Sequence, residues 1–316
     1  MLKKDTKIFL AGHNGMVGSA IFKELKIQGY KNILIATKKK LNLLDQKKVE
    51  IFLKKNKPKV TIIAAAKVGG ILANSNYKAN FIYENTAIQN NLIHGSYLAG
   101  IKNLIFLGSS CIYPKNSAQP IKEKYLLTGK LEETNDAYSI AKISGIKMCE
   151  AYSHQYRLKY KALMPANMFG ANDNYDLKSS HFFPALIKKI HNAKKNNKKN
   201  IILWGNGQAK RELLYVDDFA KACIFFMGKN IKESFINIGS GKEKKIVDYA
   251  RYIMKRLNVN LKIKYDLSKP NGMKRKILDL SLAKKYGWKA TIPLDKAFDS
   301  VYQNFLLSLN KKKSNQ

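Results

Sequence analysis

The sequence predicts an α/β protein with a Rossmann doubly wound parallel sheet and a smaller C-terminal α/β substrate-binding domain. Three observations carry this. Short apolar runs alternate with longer amphipathic ones through the first half, the pattern of parallel strands joined by helical crossovers. A glycine-rich turn, Gly12-His13-Asn14-Gly15-Met16-Val17-Gly18, follows the first apolar run directly. The alternation lapses after Pro165 and resumes near Val216, as it would where a second lobe is inserted.

Taken in order, residues 7–11 read as a strand, 15–28 as a helix and 33–36 as a strand. Residues 45–55 read as a helix with Asp45 placed at its N-cap, where a carboxylate accepts free backbone N–H groups. A strand at 60–64, a helix at about 83–98, a strand at 104–107, a helix at about 138–156 and a strand at 160–164 complete the alternation. Residues 171–211 read as loops around one helix at 184–193 and a basic polar stretch at 194–200. A helix at 216–227 and a strand at 235–238 return to the first pattern. Helices at 246–257 and 294–307 around a strand at 261–265 form the smaller unit, with a frayed tail at 310–316. The expected division is 1–170 plus 213–242 for the Rossmann domain and 171–212 plus 243–316 for the second.

The 316 residues carry 58 Lys+Arg against 22 Asp+Glu, a net charge of +36. Such an excess suits a nucleic-acid binder, since basic proteins release counterions from phosphates. Yet the lysines are scattered in pairs and triplets through every element, as at 38–40, 54–55, 188–189 and 311–313, with no arm and no aromatic-spaced stripe. A solvated surface and no nucleic-acid partner follow. The longest apolar runs, 60–66 and 223–227, fall far short of the roughly 20 residues a spanning helix needs. Neither a signal peptide nor a membrane partner is expected, and the chain reads as cytoplasmic. Cys111, Cys149 and Cys223 form no CxxC pair and no Cys/His cluster, which argues against a disulfide scaffold and a metal site.

The glycine turn is the first chemical signal. Gly12, Gly15 and Gly18 stand where a dinucleotide-binding turn needs tight backbone, close approach to a diphosphate and close helix–strand packing. The helix that follows points its free N–H groups and positive dipole end at the phosphates. An NAD-preferring fold places a carboxylate after the second strand; here the segment reads Ile35-Ala36-Thr37-Lys38. The missing acid, with Lys38 available to a 2′-phosphate, points to NADP(H).

A second signal is Tyr138-Ser139-Ile140-Ala141-Lys142, a YxxxK pattern on a predicted helix. Positions i and i+4 share a face, so the Lys142 ammonium is expected beside the Tyr138 phenol, lowering its pKa. Such a Tyr can protonate a carbonyl oxygen as hydride reaches its carbon. Ser109, just past a strand end, can hydrogen-bond the same oxygen. Alone, YxxxK is equally a surface Tyr with a snorkelling Lys; the glycine turn and Ser109 favour catalysis.

Beyond these patterns, AGHNGMVGSAI, AAAKVGGI, FIYEN, FLGSSCIYP, YSIAKISGIKMCE, NMFG, DNYD and SHFFPALI resemble the GDP-L-fucose synthase family of extended short-chain dehydrogenases/reductases. The likeness runs from Lys7 to about Trp288. It implies NADPH-dependent reduction of the C4 ketone of a GDP-4-keto sugar, by Ser109, Tyr138 and Lys142. A preceding 3,5-epimerisation by Cys111 and His181 as base and acid, and a homodimer built on the helices near 83–98 and 138–156, are implied as well. Residues alone would read Cys111 as a small buried hydrophobe and His181 as a loop residue. The resemblance extends the cofactor contacts to Asn14, Met16, Val17, Leu107, Gly108, Pro165, Asn167, Met168 and His181. It assigns the nucleotide-sugar to Asn167, Lys189, Trp204, Arg211 and Asn271, although Trp204 also reads as core and Arg211 as surface charge.

Two departures bear on the ligands. Asn14 stands where the family has Arg near the 2′-phosphate, and Lys269-Pro270-Asn271-Gly272 stands where it has KPDG. Three other readings therefore stay open. One is a C4-reductase of a GDP-4-keto-heptose, with epimerisation done elsewhere. Another is a nucleotide-sugar 4-epimerase or dehydratase that recycles bound NAD. The last, of a different class, is a nucleic-acid-binding redox regulator on a Rossmann domain.

Overall fold

The computed structural model describes residues 2–269 and 272–313. The first half lays down β1 (Ile8–Ala11), α1 (Met16–Ile27), β2 (Ile33–Leu34), α2 (Gln46–Asn56) and β3 (Val60–Ile63). Next come α3 (Ile71–Asn76), α4 (Lys78–Leu98), β4 (Asn103–Leu107), α5 (Asp136–Tyr156) and β5 (Lys159–Pro165). Every residue of β1 and β3 is buried, as strands covered on both faces must be. Asp45 caps α2 as expected, its carboxylate accepting from the Lys48 N–H at 3.0 Å.

The chain continues through β6 (Asn167–Phe169), α6 (Phe182–Lys195), β7 (Asn200–Trp204), β8 (Lys210–Tyr215), α7 (Val216–Met227) and β9 (Phe235–Ile238). It ends with β10 (Glu243–Lys245), α8 (Ile246–Arg256), β11 (Lys262–Asp266), β12 (Arg275–Lys276), α9 (Ser281–Lys285) and α10 (Leu294–Lys313). One six-stranded sheet, ordered β2-β1-β3-β4-β5-β9 and wholly parallel, forms the centre. Helix α1 packs on α7, and α4 lies between α2 and α5. Strand order reverses between β1 and β3, and ligands of such sheets bind beyond the strand C-termini at that switch point.

The remaining strands build two small sheets. Strand β8 pairs with β6, β10 and β12, while β7 pairs with β11. Here the structure departs from the expected loops at 171–211, because β7 and β8 both fall there wholly or in part. Strand β8 carries Arg211 and Glu212 at its middle, charges that mark surface in a sequence but are buried here. Glu212 is accommodated because its carboxylate accepts from the Gly241 N–H at 2.6 Å and the Leu278 N–H at 2.9 Å. Helix α10 runs on through Lys313 where fraying was expected; residues 314–316 lie outside the described residues, as does Asn271. No helix among the described residues is long and apolar enough to cross a membrane.

Candidate active site

Strand β1 delivers the glycine turn to the switch point. Gly12 has φ +90, a left-handed conformation, and a Cβ there would lie 2.5 Å from the Ala65 nitrogen. A Cβ on Gly18 would overlap the Gly12 carbonyl, 2.7 Å from its carbon. These two glycines are required by the chain's own packing. Gly15 is different: its Cβ would meet nothing nearer than the Gly12 oxygen at 3.7 Å, and it is the exposed N-cap of α1. The opening at Gly15, with α1's free N–H groups behind it, fits a dinucleotide diphosphate. Asn14 and Lys38 are both exposed, Lys38 on the turn after β2, the neighbour of β1.

The catalytic candidates gather beyond β4. Leu107 ends that strand, Gly108 and Ser109 follow, and Ser109 caps a single 3-10 turn at Ser110–Ile112 by accepting from the Cys111 N–H at 3.2 Å. Helix α5 is stitched to this turn by the Ser139 hydroxyl, which donates to the Cys111 carbonyl at 2.9 Å. Its first turns then bring up Tyr138, whose phenol hydrogen-bonds Ser109, and Lys142, whose ammonium donates to the Leu107 carbonyl at 2.8 Å.

The electrostatics correct one expectation. Lys142 Nζ lies 5.9 Å from the centroid of the Tyr138 ring and is bound to backbone. It therefore does not lower the phenol pKa as YxxxK spacing suggested. Burial, reinforced by the negative charge Cys111 can carry, raises Tyr138 well above the ordinary phenol range against the opposing Ser109 hydrogen bond. Burial likewise brings Lys142 down to about 7. Tyr138 is thus a protonated donor in the free protein.

Cys111 is half-buried, and its sulfur accepts from Asn135 Nδ2 and from Lys276 Nζ, each at 3.4 Å. Arg211, buried on β8, interacts electrostatically with Cys111 and Glu132 and donates to the Lys210 and Met273 carbonyls at 2.8 and 2.6 Å. His181 is the N-cap residue of α6. Its side chain is open to water, yet walled by enough protein that desolvation, with the nearby Lys276 ammonium, holds the imidazolium pKa below its usual value.

The structure thus unites Ser109, Cys111, Tyr138, Lys142 and Arg211, and links His181 to them through Lys276. Lys189 and Trp204 form a separate pair, the ammonium 5.2 Å from the indole centroid and bonded to the Ile202 carbonyl at 2.9 Å. Pro165 ends β5, while Asn167 and Met168 lie on β6. Sequence reasoning missed Asn135 and Lys276. It also missed the work of Asn85 on α4, whose amide brackets Lys67 by accepting its N–H at 2.9 Å and donating to its carbonyl at 3.0 Å, fixing the loop after β3. Among the described residues no cluster of His, Cys, Asp and Glu could hold a metal ion.

The NAD dependent epimerase/dehydratase family matches residues 8–239, most of the chain. The chain belongs to this family. Within the NAD dependent epimerase/dehydratase family, it is 44% identical to GDP-L-fucose synthase 1 of Arabidopsis thaliana over 97% of this chain and 95% of that one. With GDP-L-fucose synthase of Escherichia coli K12 it shares 42% identity over 95% and 96%. A solved structure of MlghC, a GDP-mannoheptose C4 reductase of Campylobacter jejuni with NADP bound, superposes with a TM-score of 0.87 at 32% identity, covering 96% and 99% of the two chains.

Proposed function

We propose that this protein reduces the C4 ketone of a GDP-4-keto sugar with NADPH, in the manner of a GDP-L-fucose synthase, with 3,5-epimerisation before reduction. The observation that carries the reading is the joining of Ser109 to Tyr138 beside Lys142, with Cys111 one residue past Ser110 on the same turn. Two chemistries then share one carbonyl oxygen. A C–H next to a ketone is acidified because the electron pair it leaves behind delocalises onto that oxygen, where Ser109 and Tyr138 can donate. Cys111 removes the proton and His181 returns one on the opposite face.

Bound NADPH supplies the hydride for the second step. Tyr138, held protonated by burial, gives its proton to the C4 oxygen. Lys142, bonded to the Leu107 carbonyl, fixes the helix face that carries Tyr138 against the end of β4. Gly12, Gly15 and Gly18 with α1 would hold the diphosphate of the cofactor, and Asn14 and Lys38 would be available to its 2′-phosphate. Leu107, Gly108, Pro165, Asn167, Met168 and His181 would complete the cofactor site. Lys189, Trp204, Arg211 and Asn271 hold the GDP-sugar.

The reading includes a homodimer through α4 and α5, which leave Tyr83 68% and Ile140 48% exposed, and a cytoplasmic location. The decisive experiment incubates the purified protein with NADPH and a panel of GDP-4-keto-hexoses and GDP-4-keto-heptoses, following NADPH oxidation and product NMR. Oxidation equimolar with product and inversion at C3 and C5 is expected with the 6-deoxyhexose. A heptose reduced without inversion would select the C4-reductase reading that the likeness to the heptose reductase favours. No NADPH consumed with any sugar would overturn the proposal.

A further inference from the structure

Lys276 belongs to no motif, yet the fold aims it at the reacting sulfur. Strand β12 pairs with β8 in parallel register, setting Lys276 opposite Arg211, so the two side chains leave the small sheet on the same face. Both flanks of Lys276 are pinned. Arg275 Nε bonds both oxygens of Glu243 at 2.8 and 2.9 Å, and the Ile277 N–H donates to Gln119 Oε1 at 3.0 Å. The two-residue strand thus fixes the backbone from which the Lys276 ammonium reaches Cys111 Sγ at 3.4 Å.

The sulfur is an acceptor in both of its side-chain contacts, from Lys276 and from Asn135. An ammonium and an amide N–H converging on one sulfur suit a thiolate better than a thiol, because charge-assisted bonds strengthen when the acceptor is anionic. The charged and titratable groups around it are Tyr138 on α5, Arg211 on β8 and Lys276 on β12, with Glu132 set against Arg211 and His181 facing Lys276.

We propose that Lys276 is a positioning residue: with Asn135 it holds the Cys111 sulfur for proton removal and balances the negative charge that sulfur carries once deprotonated. The thiol first loses its proton to water. The thiolate then takes the proton from the carbon beside the ketone, forming S–H while the C–H electron pair moves to the carbonyl oxygen. His181, having taken a proton from water, gives it as imidazolium to restore the C–H on the other face as that pair returns to carbon. This role rests on the proposed epimerisation, but the contact itself can be tested without substrate.

The test is alkylation of the native protein by iodoacetamide, a neutral reagent, at pH 7, with the modified cysteine identified by mass spectrometry. Cys149 and Cys223 are fully buried, so the rate reports Cys111. Lys276→Met is expected to slow Cys111 alkylation by about fivefold or more, while Lys276→Arg stays within about twofold of the native rate, because thiolate and not thiol reacts. Circular dichroism and NADPH affinity establish that each variant is folded; Lys276→Gln replaces Met if that variant does not fold. Equal rates in native protein and the uncharged variants would overturn the proposal. Slowed alkylation with undiminished solvent-deuterium exchange at C3 and C5 would overturn its catalytic half. Failure of the proposed activity shows itself separately, as native protein inert toward every sugar with the alkylation contrast intact.

Discussion

Replacing Gly15 and Gly18 one at a time by Ala separates what the glycine turn does for the fold from what it does for a ligand. At Gly18 the added methyl overlaps the Gly12 carbonyl and lies 2.9 Å from the His13 Cα, so backbone on both sides of the turn must move. Overpacking of that kind costs about 1–3 kcal/mol. At about 2–4 °C per kcal/mol, the melting temperature of the cofactor-free protein should fall by several degrees. At Gly15 the same methyl enters open space, and the only expected penalty is the poorer N-capping of Ala relative to Gly, below about 1 kcal/mol. That methyl stands where the diphosphate must approach. Loss of one hydrogen bond to a charged group costs about 1.5–3 kcal/mol, or roughly 10- to 100-fold in NADPH affinity. Differential scanning fluorimetry without cofactor and fluorescence titration with NADPH read the two quantities. The reasoning fails if Gly15→Ala melts as low as Gly18→Ala, or binds NADPH within about twofold of the native protein.

Removing the Tyr138 hydroxyl as Tyr138→Phe should lower kcat by about 10²- to 10⁴-fold, as expected for a lost general acid, with NADPH affinity unchanged by titration. Cys111→Ala should abolish solvent-deuterium incorporation at C3 and C5, read by NMR of the recovered sugar. Burial lowers Lys161 to about 8, and its ammonium donates to the Phe226 carbonyl at 3.1 Å and to that of Lys229. Between about pH 8 and 10 the unfolded chain holds more proton at this lysine than the folded one, so its contribution to stability rises with pH. Native protein should therefore gain on Lys161→Met by up to about 1.4 kcal/mol per pH unit across that window, measured by urea unfolding at pH 7, 8, 9 and 10.

The parts of the site that could be read in advance are those whose geometry is set within a few residues. Gly12 to Gly18 is one turn, and Tyr138 to Lys142 is one turn of helix, so spacing alone implied proximity. The inner strands of the central sheet were legible for a related reason, since strands buried on both faces read as apolar runs. Strand β8 was not, because Glu212 is buried against backbone donors at Gly241 and Leu278, and Arg211 against the Met273 carbonyl, groups that arrive from elsewhere in the chain. Lys276 was invisible for a matter of number: among 58 basic residues, nothing local distinguishes the one that a two-residue strand turns toward a sulfur 165 positions away. The expected effect of Lys142 on Tyr138 erred because sequence spacing says which groups are near, and says nothing of the carbonyl that claims the ammonium first.

Strand β8 does more than carry Arg211. Asn167 stands opposite Leu213 and Lys276 opposite Arg211, so all four project from one face of the small sheet. The step from Leu213 to Arg211 is two residues, roughly 6.5–7 Å at strand spacing. On the proposed reading, Asn167 serves the cofactor and Arg211 the GDP-sugar, which makes β8 a gauge between the two binding residues. A slip of one residue would turn every side chain away from its mark. On that reading the spacing between the two sites is set by the pitch of one strand and not by the conformation of a loop.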